Sequence, residues 1–383
     1  MVAAALLLIP TACAAPTETA LRVPWQALHK VAETAPNNQT ALWTDGTKTV
    51  LAWPGGPDQP GIRLSTGTNE TVLLPFGTLQ QVALYPADAG LLHVLWLDQT
   101  HPDEPRLASA LITTDGKIER GANAVSAKAT THYAAVRLAN GNVLTLWTEA
   151  GQHSPLYAQL LDGADRAHPP VRLSSDASYP TGMVDLNGTL HLAWLENAAS
   201  QSWTIRYLTF NNSSLPDTDN PSTIPVAVIK LGAGQTLEDF ALGVDGSHVY
   251  CLWNLVSLSS TGQPIGSLAG LAFPIGNVSA VQQIKLDALR EQNVHGLSIP
   301  IRAMQTLTIS LTNSTWDGQA WNDNPIAVSV TPDSAVLHPV YDEPVGILGK
   351  TTLASDANGK LYLAWTLVQA DGTAAVYYAS TGS

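Results

Sequence analysis

A five-residue pattern that ends in tryptophan recurs six times along the chain, and it constrains the fold more than any other feature. Each copy follows a turn containing Gly or Asp-Gly and alternates apolar with variable residues. Side chains alternate between the two faces of a strand, so each tryptophan shares a face with the residues two and four before it. We therefore predict that one packing layer is anchored by the same residue in every unit. The tryptophans are Trp53, Trp96, Trp147, Trp194, Trp253 and Trp365.

The spacing of these tryptophans indicates a ring of repeated sheets. Successive copies are 43, 51, 47, 59 and 112 residues apart, and the last step is about twice the others, which predicts one degenerate copy between Trp253 and Trp365. Such a period fits one four-stranded blade of a β-propeller. In the third unit the strands are predicted at about 132–138, 142–149, 155–162 and 170–174. We predict seven blades, with six or eight as alternatives.

The two ends of the chain are predicted to meet in one blade. The last unit stops after its third strand, Val376 to Ser380, which leaves one sheet edge without a partner. An unpaired edge exposes a row of backbone hydrogen-bonding groups. The stretch from Leu21 to Val31 precedes the first unit and is otherwise unassigned. We predict that it supplies the missing outer strand of the last blade and closes the ring.

The composition agrees with an all-β chain and excludes some partners. The 29 Gly and 25 Pro residues disfavour long helices, and only 13% of the residues are charged. The net charge is −13, and the 18 Lys and Arg residues form no cluster, so a nucleic acid partner is not expected. No cofactor is expected. Pro216 to Asn220 contains two aspartates and is predicted to be a solvated turn, with a structural Ca²⁺ site as the alternative.

The N-terminal residues have the character of a targeting segment. An apolar run leads into small residues before Cys13, which is similar to a bacterial lipobox, so we predict a signal peptide over 1–13 with Cys13 lipidated. A plain secretory signal is the alternative. Residues 14–20 are predicted to be a flexible tether and 21–383 the propeller. The protein is then lipid-anchored at the bacterial cell surface, or secreted and soluble. The other cysteine, Cys251, lies in a strand pattern and is predicted to be a core residue.

The fullest repeats resemble a known family. Asp185 to Trp194 and Asp356 to Trp365 share the sequence Asp-x-Asn-Gly-x-Leu-x-Leu-Ala-Trp, and Trp316 to Trp321 reads Trp-Asp-Gly-x-x-Trp. Both resemble the blades of sialidase-like (bacterial neuraminidase repeat) β-propellers. The family implies a clamp of three arginines, an acidic general acid and a tyrosine activated by a glutamate. Arg137, Arg206 and Arg302 do not occupy corresponding blade positions, so no catalytic residue is assigned.

Three functions remain open at this stage. We predict a surface-anchored, non-catalytic propeller that binds a ligand, either a glycan or a protein. The alternatives are a divergent sialidase-like glycoside hydrolase and a structural subunit of an envelope assembly. The only binding residues proposed from the sequence are Trp316 and Trp321, as an aromatic platform, with a blade hairpin whose two tryptophans shield a turn as the alternative. No metal site is predicted, since the His residues are dispersed and His93 and His191 occupy equivalent packing positions.

Overall fold

The computed structural model is a ring of seven antiparallel sheets. It describes residues 25–382, except 27, 35–38, 56–59, 68–69, 74–78, 89, 164–165, 200, 212–218, 317, 319–320, 341–345 and 369–371. In blades 1 to 6 four consecutive strands form a meander, with the first strand innermost. The all-β, seven-bladed propeller predicted from the repeat is confirmed, and the alternatives of six and eight blades are wrong.

The first three blades are built from strands of four to eight residues. Blade 1 contains β2 to β5, blade 2 contains β6 to β9 and blade 3 contains β10 to β13. The strand predictions for the third unit are confirmed to within two residues. The bounds are β2 Ala41–Thr44, β3 Thr49–Pro54, β4 Ile62–Ser65, β5 Glu70–Leu73, β6 Leu79–Pro86, β7 Leu91–Asp98, β8 Arg106–Thr113, β9 Ile118–Ala124, β10 Thr130–Arg137, β11 Val143–Glu149, β12 Leu156–Leu161 and β13 Val171–Ser174.

Blades 4 to 6 have longer second and third strands, each of ten or eleven residues. Blade 4 contains β14 to β17, blade 5 contains β18 to β21 and blade 6 contains β22 to β25. The bounds are β14 Ser178–Val184, β15 Thr189–Ala199, β16 Ser202–Asn211, β17 Ile224–Lys230, β18 Thr236–Val244, β19 His248–Leu258, β20 Pro264–Pro274, β21 Gln282–Gln283, β22 Val294–Ser298, β23 Leu307–Trp316, β24 Trp321–Thr331 and β25 Ser334–Pro339, with one short 3₁₀ turn at Asp287–Leu289.

Blade 7 joins the two ends of the chain. Its C-terminal strands are β26 Ile347–Leu348, β27 Thr352–Ser355, β28 Leu361–Val368 and β29 Ala374–Ser380, and its outer strand is β1, His29–Thr34. β1 pairs antiparallel with β29, from His29 opposite Tyr378 to Thr34 opposite Ala374. Closure by an N-terminal strand is confirmed. The strand begins later than the predicted Leu21 to Val31, of which 21–24 and 27 lie outside the described residues.

The repeated tryptophan forms the predicted core layer. Trp53, Trp96, Trp147, Trp194 and Trp365 are at most 2% exposed, while Trp253 is only partly buried. The degenerate copy is blade 6, whose second strand starts Leu-Thr-Ile-Ser-Leu and ends that pentad with the fully buried Leu311 in place of tryptophan. Cys251 is a fully buried core residue, as predicted, and burial raises the pKa of its thiol to about 12.

A carboxylate at the turn between the first two strands locks the second strand in several blades. In blade 4, Asp185 Oδ1 accepts hydrogen bonds from the backbone N–H groups of Asn187 and Thr189, and Asp185 Oδ2 lies 3.2 Å from His191 Nε2. His191 Nδ1 in turn lies 2.6 Å from the hydroxyl of Tyr207. Tyr250 donates in the same way to the turn carboxylate of blade 5. The side chains of His191 and Tyr250 are thus buried and bonded to the turn carboxylates.

No helix in the described part of the chain has the length and apolar character needed to cross a bilayer.

Candidate functional site

All seven inner strands begin at the same end of the ring, which we call the mouth; the opposite end is the far face. A cavity of about 490 Å³ opens there and is lined by residues from every blade. This size falls in the range of small-molecule sites. The lining is mixed polar and aromatic, and one residue from each of blades 1 to 7 illustrates it: Gln39, Gln81, His132, Tyr179, Glu238, Ser298 and Lys350.

The connection between β22 and β23 crosses the channel beneath the cavity. Ile299, Pro300 and Ile301 line the floor of the cavity. Ile299 packs against the cores of blades 5 and 6, whereas Ile301 packs against the core shared by blades 1 and 2, across the ring. Met304 continues to the core of blade 7. This segment, 299–306, therefore crosses the ring beneath the cavity, and we call it the plug.

The inner strands of five consecutive blades carry a β-bulge where they enter the mouth. In blades 2 to 6 the register with the second strand shifts by one residue: between Gln80 and Ala83, Thr130 and His132, Ser178 and Thr181, Leu237 and Asp239, and His295 and Ser298. A bulge bends the strand and redirects a side chain, and bulges are over-represented beside active sites. The lining of the mouth is thus built from residues that leave the regular ladder.

Three of these bulges use a left-handed residue at the same position. Gly296 has a φ of +65°, and the equivalent Gln81 and Tyr179 have φ values of +53° and +51°. Glycine adopts this conformation without penalty, whereas other residues are strained there. Strained residues of this kind cluster at functional sites, because the fold retains them for their side chains. Gln81 and Tyr179 both line the cavity.

His132 and Tyr179 are in direct contact in the mouth. Their ring centroids are 4.3 Å apart with an interplanar angle of 38°. Burial lowers the pKa of His132, so its imidazole is neutral at pH 7, and its Nδ1 is buried with no partner among the described residues. Burial, and then the charges of Asp239 and Glu238, raise the pKa of Tyr179, whose hydroxyl donates to the Leu237 carbonyl at 3.2 Å. The pair offers a neutral proton acceptor beside a phenol.

Two carboxylates on the bulge of β18 connect blade 5 to blades 6 and 7. Lys350 Nζ lies 2.6 Å from Asp239 Oδ1, and Asp239 Oδ2 accepts from the Leu297 N–H at 3.1 Å. Glu238 Oε2 lies 3.3 Å from His295 Nδ1. Burial alone would raise the pKa of Glu238, but the hydrogen bond and charge of His295 bring it below its ordinary value. These ion pairs fix the shape of the mouth on one side.

The binding residues proposed from the sequence lie on the mouth side of blade 6. Trp316 and Trp321 are cross-strand partners at the tip of the β23–β24 hairpin, with ring centroids 5.5 Å apart, and Trp316 is 45% exposed. They do not line the cavity itself. The mouth residues could not be identified from the sequence, because neither a β-bulge nor a left-handed residue leaves a recognisable sequence pattern. The only local signal is Pro180, which directly follows Tyr179.

The three arginines considered from the sequence do not converge at the mouth. Arg206 pairs with Glu196 on the second and third strands of blade 4, with 2.7 Å between Nε and Oε2. Arg137 ends the inner strand β10 at the far face and donates to the Pro86 carbonyl. Burial and the nearby charge of Arg302 lower the pKa of Arg137. An arginine clamp of the sialidase kind is therefore not formed by these residues.

Within the described ranges, no group of three His, Cys, Asp or Glu side chains is placed to hold a metal ion. Of the Ca²⁺ candidates, Asp217 lies outside the described residues, and Asp219 accepts a hydrogen bond from the Arg172 N–H. Cys13 also lies outside the described residues.

The fold is similar to those of carbohydrate-active propellers. The chain is a seven-bladed β-propeller, and 92% of it superposes on 95% of a polysaccharide lyase of family PL25, an ulvan lyase bound to a saccharide, with a TM-score of 0.55 and 10% identity. It matches a Trypanosoma rangeli sialidase over 92% of this chain and 59% of that one, with a TM-score of 0.51 and 7% identity. The predicted resemblance to sialidase-like propellers is confirmed for the fold.

A third similar structure is a Dyadobacter fermentans protein of unknown function. It covers 92% of this chain and 98% of its own, with a TM-score of 0.51 and 8% identity. No protein-family model and no curated protein sequence matches the chain. At these identities the comparisons define the fold alone.

Proposed function

We propose that the protein is a glycan-binding propeller that takes its ligand into the mouth. The observation that carries this proposal is the cavity itself, which the plug crosses below and which is lined by amide, carboxylate, ammonium and aromatic groups. Sugars present hydroxyl groups that both donate and accept, together with apolar ring faces. Gln81, Glu238 and Lys350 supply the hydrogen-bonding partners, and Tyr179 supplies the aromatic surface.

Strain at the mouth supports a binding role for the same residues. A non-glycine residue in the left-handed region costs free energy, roughly 1–3 kcal/mol, unless the structure gains from its side chain. Gln81 and Tyr179 occupy a position that Gly296 fills in blade 6. Contact of these side chains with a ligand at the cavity wall is a gain that would offset the strain.

Binding is favoured over hydrolysis by the state of the carboxylates. Both oxygens of Asp239 are engaged, one by Lys350 and one by the Leu297 N–H. Glu238 is held by His295. A glycosidase needs one carboxyl group to protonate the leaving oxygen and a second to act as base or nucleophile. With Asp239 fully occupied, this pair is poorly suited to those roles.

A glycan array followed by calorimetry tests the proposal. Tyr179→Ala should abolish binding of any glycan that the wild-type protein retains, because it removes the aromatic wall of the cavity. Leu186→Ser is the matched control, since Leu186 is 49% exposed at the far face of the same blade. Wild-type binding that survives Tyr179→Ala, or no binding to any glycan, would contradict the proposal.

Cleavage of a glycan is the second candidate, and the contact of His132 with Tyr179 favours it. A neutral imidazole beside a phenol provides a proton acceptor and a proton donor, which is the minimum for general acid–base chemistry. Incubation with a polysaccharide library, followed by assays for new reducing ends and for absorbance of unsaturated products, distinguishes the two candidates. Product formation that is lost in His132→Ala would replace the binding proposal by an enzymatic one.

We also propose that Cys13 carries a lipid that anchors the propeller to the bacterial cell surface. The Gln26 N–H donates to the Ser380 carbonyl and Trp25 bridges Thr381, so the N-terminal segment joins the ring at the far face of blade 7. An anchor attached there would leave the mouth directed away from the membrane, as a surface receptor requires. Cys13→Ser should move the protein from the detergent phase to the aqueous phase in a partition assay. Unchanged partitioning would contradict lipidation, with a plain signal as the alternative.

A further inference from the structure

We infer that the mouth and the Trp316–Trp321 pair form one elongated site for a neutral oligosaccharide chain, an inference that rests on the proposed glycan-binding function. The chain would enter the cavity with one end and lie along blade 6 toward the tip of its hairpin. The height of the hairpin, the direction in which its residues face and the charge of the surface between hairpin and cavity support such a site.

The second and third strands of blade 6 extend beyond the mouth. The inner strand β22 begins with Val294 opposite Asn313, whereas β23 continues to Trp316. The hairpins of blades 4 and 5 also project on this side: β15 continues to Ala199 although its pairing with β14 starts at Leu195. Three neighbouring blades thus form a raised wall beside the cavity, and the tryptophan pair stands on it.

The tryptophans face the side of blade 6 that looks toward blade 7. Ser314 lies two residues before Trp316 along β23, and its Oγ donates to Asp323 Oδ1 at 2.6 Å. The other carboxylate oxygen, Asp323 Oδ2, accepts from the Leu348 N–H of β26 at 3.0 Å. Ser314 is paired with Asp323, just as Trp316 is paired with Trp321. Because alternate residues of a strand share a face, the two tryptophans lie on the same face of the hairpin as Ser314 and Asp323. We call this face, which contacts blade 7, the strip.

The same strip leads down to Lys350 at the cavity. Thr312 is the next residue of β23 on this face, and it pairs with His295 beside the Gly296 bulge. A side-chain carbon built on Gly296 would be 3.8 Å from Thr312 Oγ1 and 3.7 Å from Lys350 Cγ. Thr312 and Lys350 therefore flank the same glycine. From Thr312 to Trp316 the strand rises about 13 Å, at about 3.3 Å per residue, which exceeds one sugar ring.

The charge of this surface favours a neutral chain. Among the described residues, the strip and the adjoining part of the mouth contain Glu238, Asp239 and Asp323, against the ammonium of Lys350, which Asp239 already neutralises. The chain as a whole carries a net charge of −13. An acidic saccharide would meet like charges both at long range and at contact, whereas a neutral chain would not.

A length series on a glycan array, with neutral and acidic oligosaccharides of one to six residues, tests this inference. The wild-type protein should retain neutral chains of three or more residues most tightly. Trp316→Ala should weaken these about tenfold, a change of about 1.4 kcal/mol, and leave the affinity for mono- and disaccharides unchanged. Leu258→Ala is the control, because Leu258 is 69% exposed on the neighbouring hairpin.

The outcomes separate this inference from the proposed function. If Trp316→Ala binds every length like wild type while Tyr179→Ala binds none, the mouth is the glycan site and the elongated site is wrong. If acidic chains bind more tightly than neutral chains of the same length, the inference about charge is wrong. If the wild-type protein binds no glycan, both the inference and the proposed function fail. An unchanged melting temperature of Trp316→Ala shows that a loss of affinity is local.

Discussion

The hydroxyl of Tyr207 lies 2.6 Å from Nδ1 of His191, and both side chains are buried. Since His191 Nε2 lies beside the Asp185 carboxylate, the neutral imidazole donates to Asp185 through Nε2–H and accepts from Tyr207 at Nδ1. Tyr207→Phe would leave Nδ1 buried without a donor, and we expect a loss of roughly 1–3 kcal/mol in the free energy of unfolding. Urea denaturation measures this. Tyr157→Phe, in a ring that stacks on Trp147, is the control and should cost less.

We expect stability to fall as the pH drops below about 6.5, the ordinary pKa of histidine. Burial lowers the pKa of His191, with partial compensation by Asp185, and burial also lowers that of His132. Between the folded and unfolded pKa values the unfolded chain binds more protons, so the stabilisation is complete above the unfolded pKa and decreases through the folded pKa. Melting temperatures from pH 8 to pH 5 check the sign. A profile that does not change in His132→Gln would exclude His132 as a contributor.

Trp194→Ala should destabilise the protein by roughly 3–5 kcal/mol, the usual result of truncating a large buried aromatic residue. Trp194 is 1% exposed, and its indole N–H donates to Glu196 at 3.2 Å. Trp25→Ala should cost less, because Trp25 is only partly buried beside the closing strand. Chemical denaturation of both variants gives the comparison. A Trp194 variant as stable as wild type would show that the repeated tryptophan is not a structural anchor.

Gln81→Gly should raise the stability by about 1 kcal/mol while it weakens glycan binding, since it relieves a strained backbone and removes a side chain from the mouth. The reverse change at the equivalent position is the control. Gly296→Ala places a side chain at a φ of +65° and should destabilise the protein. Thermal melting and calorimetry on the same samples measure both effects. Loss of stability in Gln81→Gly would mean that its side chain supports the fold.

Removal of β1 should open the ring. A chain that begins at Thr40 lacks the partner of β29 and exposes a sheet edge, so it should melt at a much lower temperature or aggregate. Deletion of residues 14–20 alone, which spares β1, should leave the melting temperature unchanged. Equal stability of the Thr40 chain and the full chain would show that the β1–β29 pairing contributes little.

The blades could be predicted from the sequence because the patterns that define their strands and turns are local. The alternation around Trp147 and the Gly-containing turns place the four strands of blade 3, and the three-strand end of the last unit predicts its closure by the N-terminus. Blade 6 was harder to delimit since Leu311 replaces the tryptophan. The predicted strand at the N-terminus was displaced because its register depends on β29 and not on its own pattern.

The mouth could not be predicted in the same way. Lys350 and Asp239 are 111 residues apart and meet only after blades 5 to 7 have stacked. The left-handed conformation of Tyr179 follows from the bulge in the pairing of β14 with β15, and Ile301 reaches the core of blades 1 and 2 only across the assembled ring. Trp316 and Trp321 could be proposed because a Trp-turn-Trp pattern is itself a local signal.

The pairing of β1 with β29 also bears on how the molecule is made. β1 is the first strand of the ring to be synthesised, yet its partner, Ala374–Ser380, is the last. During translation the early blades can form in order, but the seam stays open until the final residues have left the ribosome. A prematurely terminated chain therefore lacks β29, and it keeps an exposed sheet edge that chaperones and proteases can detect. Only a complete chain becomes a closed ring.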